Sequence, residues 1–438
     1  MRLLHRSEIV AIALPAIISN LTTPVLGLVD VAITGHIGNA VYIGAIAVGG
    51  TIFNMLYWLF NFLRMGSSGL TAQAYGAGDR SRCDTILFRA LIIGVAVGLV
   101  LIALSRPICS VVLGFMDADG ATAALADRYF SICIWGAPAV MATYAIMGWF
   151  VGMQDSRSAM WVSIFINVAN IVTSLVLVFG LGWKIEGVAT GTLTAQWAGV
   201  LLGAVIIMRR YRPALQPLRK VLERHELLSF FRINADIFLR TCCLVTVTLW
   251  FTHAGALQGP VILAANAVLL QLFILFSYFM DGFAYAGEAL AGKYAGASQA
   301  RCNKDADWGL KSLIRELLLS GVLCALVFSV IYLIAGEAFV SVLTEDRGVV
   351  ECARRYLPWC VAVPLCGFLA FLWDGIYVGL TYTRYMLAAM SVALIVFFAL
   401  YFSLHSNMGN HCLWLAFDSY LIVRGLVSWG LYLRRVRS

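Results

Sequence analysis

The chain has 438 residues, 61% of them hydrophobic and 12% charged, with a mean hydropathy of +0.87 and a formal net charge of +8. A soluble globular chain is about half apolar and a quarter charged, so a soluble enzyme is excluded, along with disorder, collagen-like structure and a small disulfide scaffold. What remains is a polytopic membrane protein.

Continuous apolar blocks long enough to span a bilayer as helix, roughly 20 residues each, run at 8–33, 42–68, 88–105, 128–151, 159–182, 188–208, 236–256, 261–287, 313–335, 354–380, 386–404 and 411–433. They predict an all-α protein with twelve transmembrane helices. A β-barrel would instead show roughly ten-residue stretches of alternating polarity. The basic residues fall at alternate ends of the blocks. With the N-terminus inside, Arg2, Arg6, Arg80, Arg82, Arg89, the long central loop, the segment from Lys293 to Arg315, and Arg434, Arg435 and Arg437 are cytoplasmic. The opposite side carries Arg106, Arg128, Lys184, Arg347, Arg354 and Arg355. This asymmetry places both termini in the cytoplasm and marks a multi-pass membrane protein. It also accounts for the net charge without nucleic acid as a partner.

No small-residue cleavage pattern follows the first block, so that block is its own insertion signal. The eleven Cys are scattered through apolar segments without a C-x-x-C pair, and the six His show no metal-ligand spacing. No metal site is expected from them.

The sequence repeats itself at an offset of roughly 217–227 residues. Thr71 to Gly78, with Arg82 and Cys83, matches Leu290 to Ala297, with Arg301 and Cys302. Arg128, Tyr129, Pro138, Gly148, Gly152 and Arg157 match Arg355, Tyr356, Pro364, Gly375, Gly379 and Arg384. Each unit holds six spans, and an even number gives both the same orientation, so the repeats are parallel. The expected organisation is an N-lobe over 1–208, a cytoplasmic linker over 209–235 and a C-lobe over 236–438, two six-helix lobes around a central cleft.

Charges inside a bilayer are costly, at least about 2.5–3.5 kcal/mol on insertion scales, and mark function when present. Span one contains Asp30 together with Pro15 and Pro24. Proline frees a backbone carbonyl and permits a bend, so Asp30 is either a switch acid on a bending helix or an acid reaching the interface from a helix end. Asn54 and Asn61 in span two, Asn167 and Asn170 in span five, and Thr190, Thr192, Thr194 and Gln196 in span six are candidate neutral ligands or ordinary interhelical hydrogen bonds. Asp281 in span eight occupies the repeat position of Arg64. The two are either an inter-lobe pair closing an inner gate or unrelated interfacial charges, and Glu288 lies further along the same helix. In span ten Asp374 sits between Trp373 and Gly375, with Tyr377 one turn on. Aromatic faces beside a carboxylate suit a bulky cation; the same residues also suit helix packing. Asp418 and Arg424 are six apart, which one helix cannot readily pair, and read as structural.

With these residues in place, the chain resembles the multidrug and toxic compound extrusion (MATE) family, in its DinF-like bacterial branch. The resemblance rests on Leu14-Pro15, Gly27 to Asp30 and Gly35-His36 in span one, Gly69 to Ala77 after span two, Asp281 to Ala286 with Glu288 in span eight, and Asp374-Gly375 with Gly379 in span ten. It implies a cation-coupled antiporter, not an enzyme, that exports organic, cationic or amphipathic compounds through the cleft by alternating access. It makes Asp30 the coupling acid and Asp374 the acid of span ten. It also maps Asn170 and Thr192 onto the family's N-lobe polar cluster, with Ser174 where an Asp stands in relatives.

A missing carboxylate weakens a sodium cage, since hard cations favour charged oxygen ligands. A lone buried acid, whose charged form desolvation penalises, suits a proton. Proton coupling is therefore favoured over sodium, with no cofactor, a small organic substrate and membrane lipid as partners, and a monomeric protein. The alternatives are a flippase for a lipid-linked precursor, which would use buried cations for phosphates, a membrane-embedded transferase, whose acid-rich or His-Asp site is missing from the sequence, and a channel.

Overall fold

The computed structural model describes residues 2–35, 40–115, 120–301 and 304–437. His36 and Cys302, which enter the motif and the repeat above, lie outside the described residues. Among the described residues every regular element is helical: α1 (Arg2–Gly35), α2 (Ala40–Leu59), α3 (Phe62–Gly76), α4 (Arg80–Ala103), α5 (Ser105–Phe115), α6 (Gly120–Cys133), α7 (Ala137–Gly152), α8 (Ser156–Leu175), α9 (Ile185–Ile206), α10 (Leu218–Val221), α11 (Arg224–Leu257), α12 (Pro260–Arg301), α13 (Lys304–Leu343), α14 (Arg347–Gly379), α15 (Thr383–Met408) and α16 (Asn410–Arg437). Within them, twelve stretches are long and apolar enough to cross a membrane, one at each predicted block. Only helices satisfy their own backbone in lipid without closing a barrel, and large apolar side chains such as Leu333 and Ile334 remain exposed on the helices for the same reason.

Two of the twelve spans are interrupted. The second is α2 plus α3, broken at Phe60 and Asn61, where the Asn61 side chain accepts from Arg64 Nε at 3.2 Å. The fourth is α6 plus α7, joined by a tight turn at Ile134–Gly136 ahead of Pro138. Proline lacks an N–H for the ladder and is tolerated in the first turn of the new helix. α1 runs unbroken through both of its prolines.

The chain forms two compact units, Leu14–Phe230 and Met1–Ala13 with Phe231–Ser438. In the first, α7 is central, with α3 and α4 packed along it and α8 paired with α9. In the second, α14 is central, with α12 and α13 along it and α15 paired with α16. The same packing plan thus occurs twice, as the sequence repeat requires. Its seams are glycines: a Cβ on Gly148 would overlap the Arg64 carbonyl and one on Gly152 would lie 2.7 Å from Ser68 O, while Cβ atoms on Gly375 and Gly379 would overlap the carbonyls of Ala284 and Glu288. These contacts set the register of the repeat. They make Ala284 the counterpart of Arg64; Asp281, given that position by the sequence match, falls about one turn earlier.

Residues 209–230, assigned to the linker by sequence, pack within the first unit. Arg89, 1% exposed on α4, donates from Nε to Val221 O at 2.9 Å and pairs through Nη1 with Glu226 at 3.2 Å. Asp84 accepts from the Ala214 backbone at 3.0 Å, and Asp155 accepts from the Tyr211 hydroxyl at 2.7 Å. Arg89→Ala removes the donor to Val221 O and the partner of Glu226, so it is expected to cost about 1–3 kcal/mol. Limited trypsin digestion should then cut faster at Arg219 and Lys220 than in the wild type. Unchanged cleavage would show that the strap is held by other contacts.

The first turns of α1 are tied into the second unit. Arg6 Nε donates to the buried Glu316 at 2.8 Å, Lys293 Nζ pairs with Glu8 at 3.0 Å, and the His5 ring meets Tyr294 edge-on.

Candidate functional site

Within the first unit, α1, α6, α8 and α9 bring together most of the expected coupling residues. Asn170 and Ser174 stand one turn apart on α8, which puts both side chains on one face. Ser174 Oγ donates to Asn170 Oδ1 at 3.1 Å, Asn170 Nδ2 donates to Thr192 Oγ1 at 3.2 Å, and Thr192 Oγ1 donates to Val188 O at 3.0 Å. Asn170 and Ser174 are buried. Gly191 permits this approach, since a Cβ there would overlap Ser174 Oγ and stand 2.9 Å from its backbone nitrogen. Tyr129 on α6 lies beside Thr192 and Cys133, and the Asp30 carboxyl acts electrostatically on both Tyr129 and Cys133. Asp30 is partly buried, with Oδ1 shielded from solvent.

Tyr129 entered the sequence argument only as a repeat match; its place beside the polar chain could not be read from spacing. Asn167 has a different role from Asn170, donating to Thr22 Oγ1 on α1 at 2.8 Å. Asn54 is exposed on α2. Thr194 turns back onto its own helix, donating to Thr190 O at 2.7 Å. Pro15 and Pro24 flank the stretch of α1 that Thr22 anchors.

Within the second unit, Asp374 is not an open carboxylate. Its Oδ2 accepts from Nη2 of both Arg240 on α11 and Arg424 on α16. The Arg424 guanidinium also lies over the Phe371 ring, 5.6 Å from its centroid, and beside the Tyr420 hydroxyl. Charge-assisted bonds of this kind are the strong ones in a low-dielectric setting. Trp373 and Tyr377, expected as an aromatic face for a cation, are fully buried instead. Trp373 packs on Tyr377 and Tyr432, and the Tyr377 hydroxyl donates to Ser428 O. Arg240 was missed by sequence reasoning, although a charge inside the seventh block was the signal for it. Arg424, set aside as structural, pairs with Asp374; Asp418 is buried with neither carboxyl oxygen hydrogen-bonded.

Arg64 and Asp281 belong to different units. Arg64 is 8% exposed and held by Asn61 on its own side of the chain. Glu288 is buried in α12 against the Gly379 seam.

The MatE family model matches residues 15–176 and 236–402, which is to say both units. The chain is 36% identical over 429 residues to the DNA damage-inducible protein F of Escherichia coli K12, covering 98% of this chain and 92% of that one. It is 23% identical over 366 residues to the multidrug export protein MepA of Staphylococcus aureus NCTC 8325, covering 83% of this chain and 79% of MepA. Among solved structures, a MOP superfamily transporter from Pyrococcus furiosus, reported under the words "reverse polarity of binding pocket", superposes with a TM-score of 0.87 at 16% identity, covering 99% of this chain and 96% of that one. That likeness shows the fold. The family match over both repeats and the near full-length similarity make the chain a member of the MATE family of multidrug and toxic compound transporters, in its DinF-like branch.

Proposed function

We propose that this transporter is a proton-coupled antiporter that exports amphipathic organic compounds by alternating access, with Asp30 as the coupling acid and both termini in the cytoplasm. The observation that carries the reading is the self-satisfied chain from Ser174 through Asn170 and Thr192 to Val188 O beside that one carboxylate. A sodium ion asks for several oxygen ligands with formal charge among them. Here Asn170 Oδ1 already accepts from Ser174, Thr192 already donates to the backbone, and the serine adds no charge. A proton needs only the carboxylate.

External protons neutralise Asp30 and favour a rearranged α1, for which Pro15 and Pro24 supply the bend. Substrate leaves that state, and the return delivers the proton inside. Substrate and proton need only bind the two states differently.

Purified protein in liposomes, loaded with a fluorescent organic substrate, tests this directly. An imposed pH gradient should drive export while a sodium gradient of equal size drives none. Sodium-driven, pH-insensitive export would overturn the reading. The pairing of Asp374 with two arginines removes the support that this acid lent to organic cations as the preferred cargo. The same arginines favour a second reading, translocation of a lipid-linked precursor, because buried guanidiniums suit phosphate oxygens.

A further inference from the structure

We infer that the Arg240–Asp374–Arg424 cluster is a binding site for an anionic group, a carboxylate, sulfonate or phosphate carried by the transported compound. Two guanidiniums meet a single carboxylate oxygen, so the cluster holds one positive charge in excess. Arg424 is 3% exposed, and Nε of both Arg424 and Arg240 is buried without an acceptor in the protein. Asp418, the acid of α16, makes no ion pair with either arginine. An uncompensated charge inside a membrane protein is expensive and persists where a partner of opposite sign visits it.

The neighbours fit a ligand that is apolar beyond its charged end. Phe371 lies under Arg424, and Tyr420 stands beside it with its hydroxyl on Met390 Sδ. Arg240 is the more accessible of the two cations, its side chain 12% exposed against 3% for Arg424. Arg424 and Asp374 accordingly form the fixed base of the site and Arg240 its reachable arm. A planar guanidinium with free donors recognises carboxylate or phosphate by geometry as well as charge.

The inference rests on the transport reading only in making the bound group part of a cargo, so its test is a binding measurement without any gradient. The wild-type protein in phosphatidylcholine nanodiscs is titrated with dansylglycine and with dansylcadaverine, which share a fluorophore and differ in the sign of their charge, and empty nanodiscs give the background. Dansylglycine is expected to bind the tighter of the two. The variants then move the excess charge in opposite directions. Arg240→Gln removes it and should weaken dansylglycine about tenfold; Asp374→Asn doubles it and should tighten binding by a similar factor; the double variant restores it and should return near wild type.

A merely structural cluster would lose affinity in both single variants alike, and that result overturns the inference. So does a wild type that prefers dansylcadaverine, a measurement that needs no variant to fold. Arg240→Lys, which keeps the charge but loses the planar fork, should weaken dansylglycine less than Arg240→Gln does. Repeating the titration in phosphatidylglycerol nanodiscs separates the sources of the anion. Suppressed dansylglycine binding identifies a lipid headgroup as a competing occupant, and undiminished binding identifies a free amphipathic anion. If export fails under both gradients while this binding pattern holds, the coupling reading falls and the anion site stands.

Discussion

Asp30→Asn is expected to cut proton-driven export steeply while leaving substrate binding at equilibrium in place. Asparagine keeps the shape of the side chain but cannot change charge, so α1 is left permanently in the state that protonation would favour. Coupling free energies of 1–3 kcal/mol correspond to roughly 5–150-fold differences, and pH-gradient-driven flux should drop by a factor in that range. The informative companion is Asp418→Asn. Asp418 lies in the second unit, a membrane carboxyl buried with neither oxygen hydrogen-bonded. If Asp418→Asn removed the proton dependence and Asp30→Asn did not, the coupling site would move to α16. Loss in both would make coupling a property of two acids, and the single-site mechanism would fail.

The twelve spans were legible because lipid acts as the solvent on their outer faces, and each must therefore be a long apolar block wherever it sits in the fold. The repeat was legible for a related reason: the glycines of α7 and α14 recur because each backbone must reach a neighbour's carbonyl. Side-chain partnerships across helices leave no such trace. Asp374 is 134 residues from Arg240 and 50 from Arg424, and nothing in the spacing of three residues on three helices announces that they meet. Helical geometry correctly refused to pair Arg424 with Asp418 but could not supply the true partner. The aromatic stretch around Asp374 reads two ways for a physical reason. Trp373 and Tyr377 are the residue types of a cation site, yet tryptophan and tyrosine are also what a tightly packed central helix buries, and spacing does not separate the two. In the first unit the reverse held: Asn170, Ser174 and Thr192 sit at helical intervals on two sequence-adjacent helices, so proximity followed from topology alone.

Gly375→Ala and Gly148→Ala should each be among the most destabilising single-methyl additions the protein can receive. In both places the new Cβ meets a backbone carbonyl, that of Ala284 or of Arg64, and a helix backbone cannot swing aside as a side-chain tip can. Overpacking of this kind costs about 1–3 kcal/mol, which lowers a midpoint by about 2–4 °C per kcal/mol for chains of 150–250 residues. Thermal unfolding in detergent reads the effect, and the molecule supplies its own controls. Gly50 in α2 and Gly430 in α16 are helical glycines at which an added methyl would have nothing within 4 Å of it. There alanine should be neutral or stabilising, because it adds helix propensity worth up to about 1 kcal/mol and touches nothing. Equal losses at all four positions would mean that glycine is retained for backbone flexibility rather than for contact. A loss confined to Gly148 and Gly375 would place the cost at the seams, where small residues four apart let two membrane helices approach. It would also fix the structural equivalence of Arg64 with Ala284, because the two substitutions would then be the same injury made once in each half of the chain.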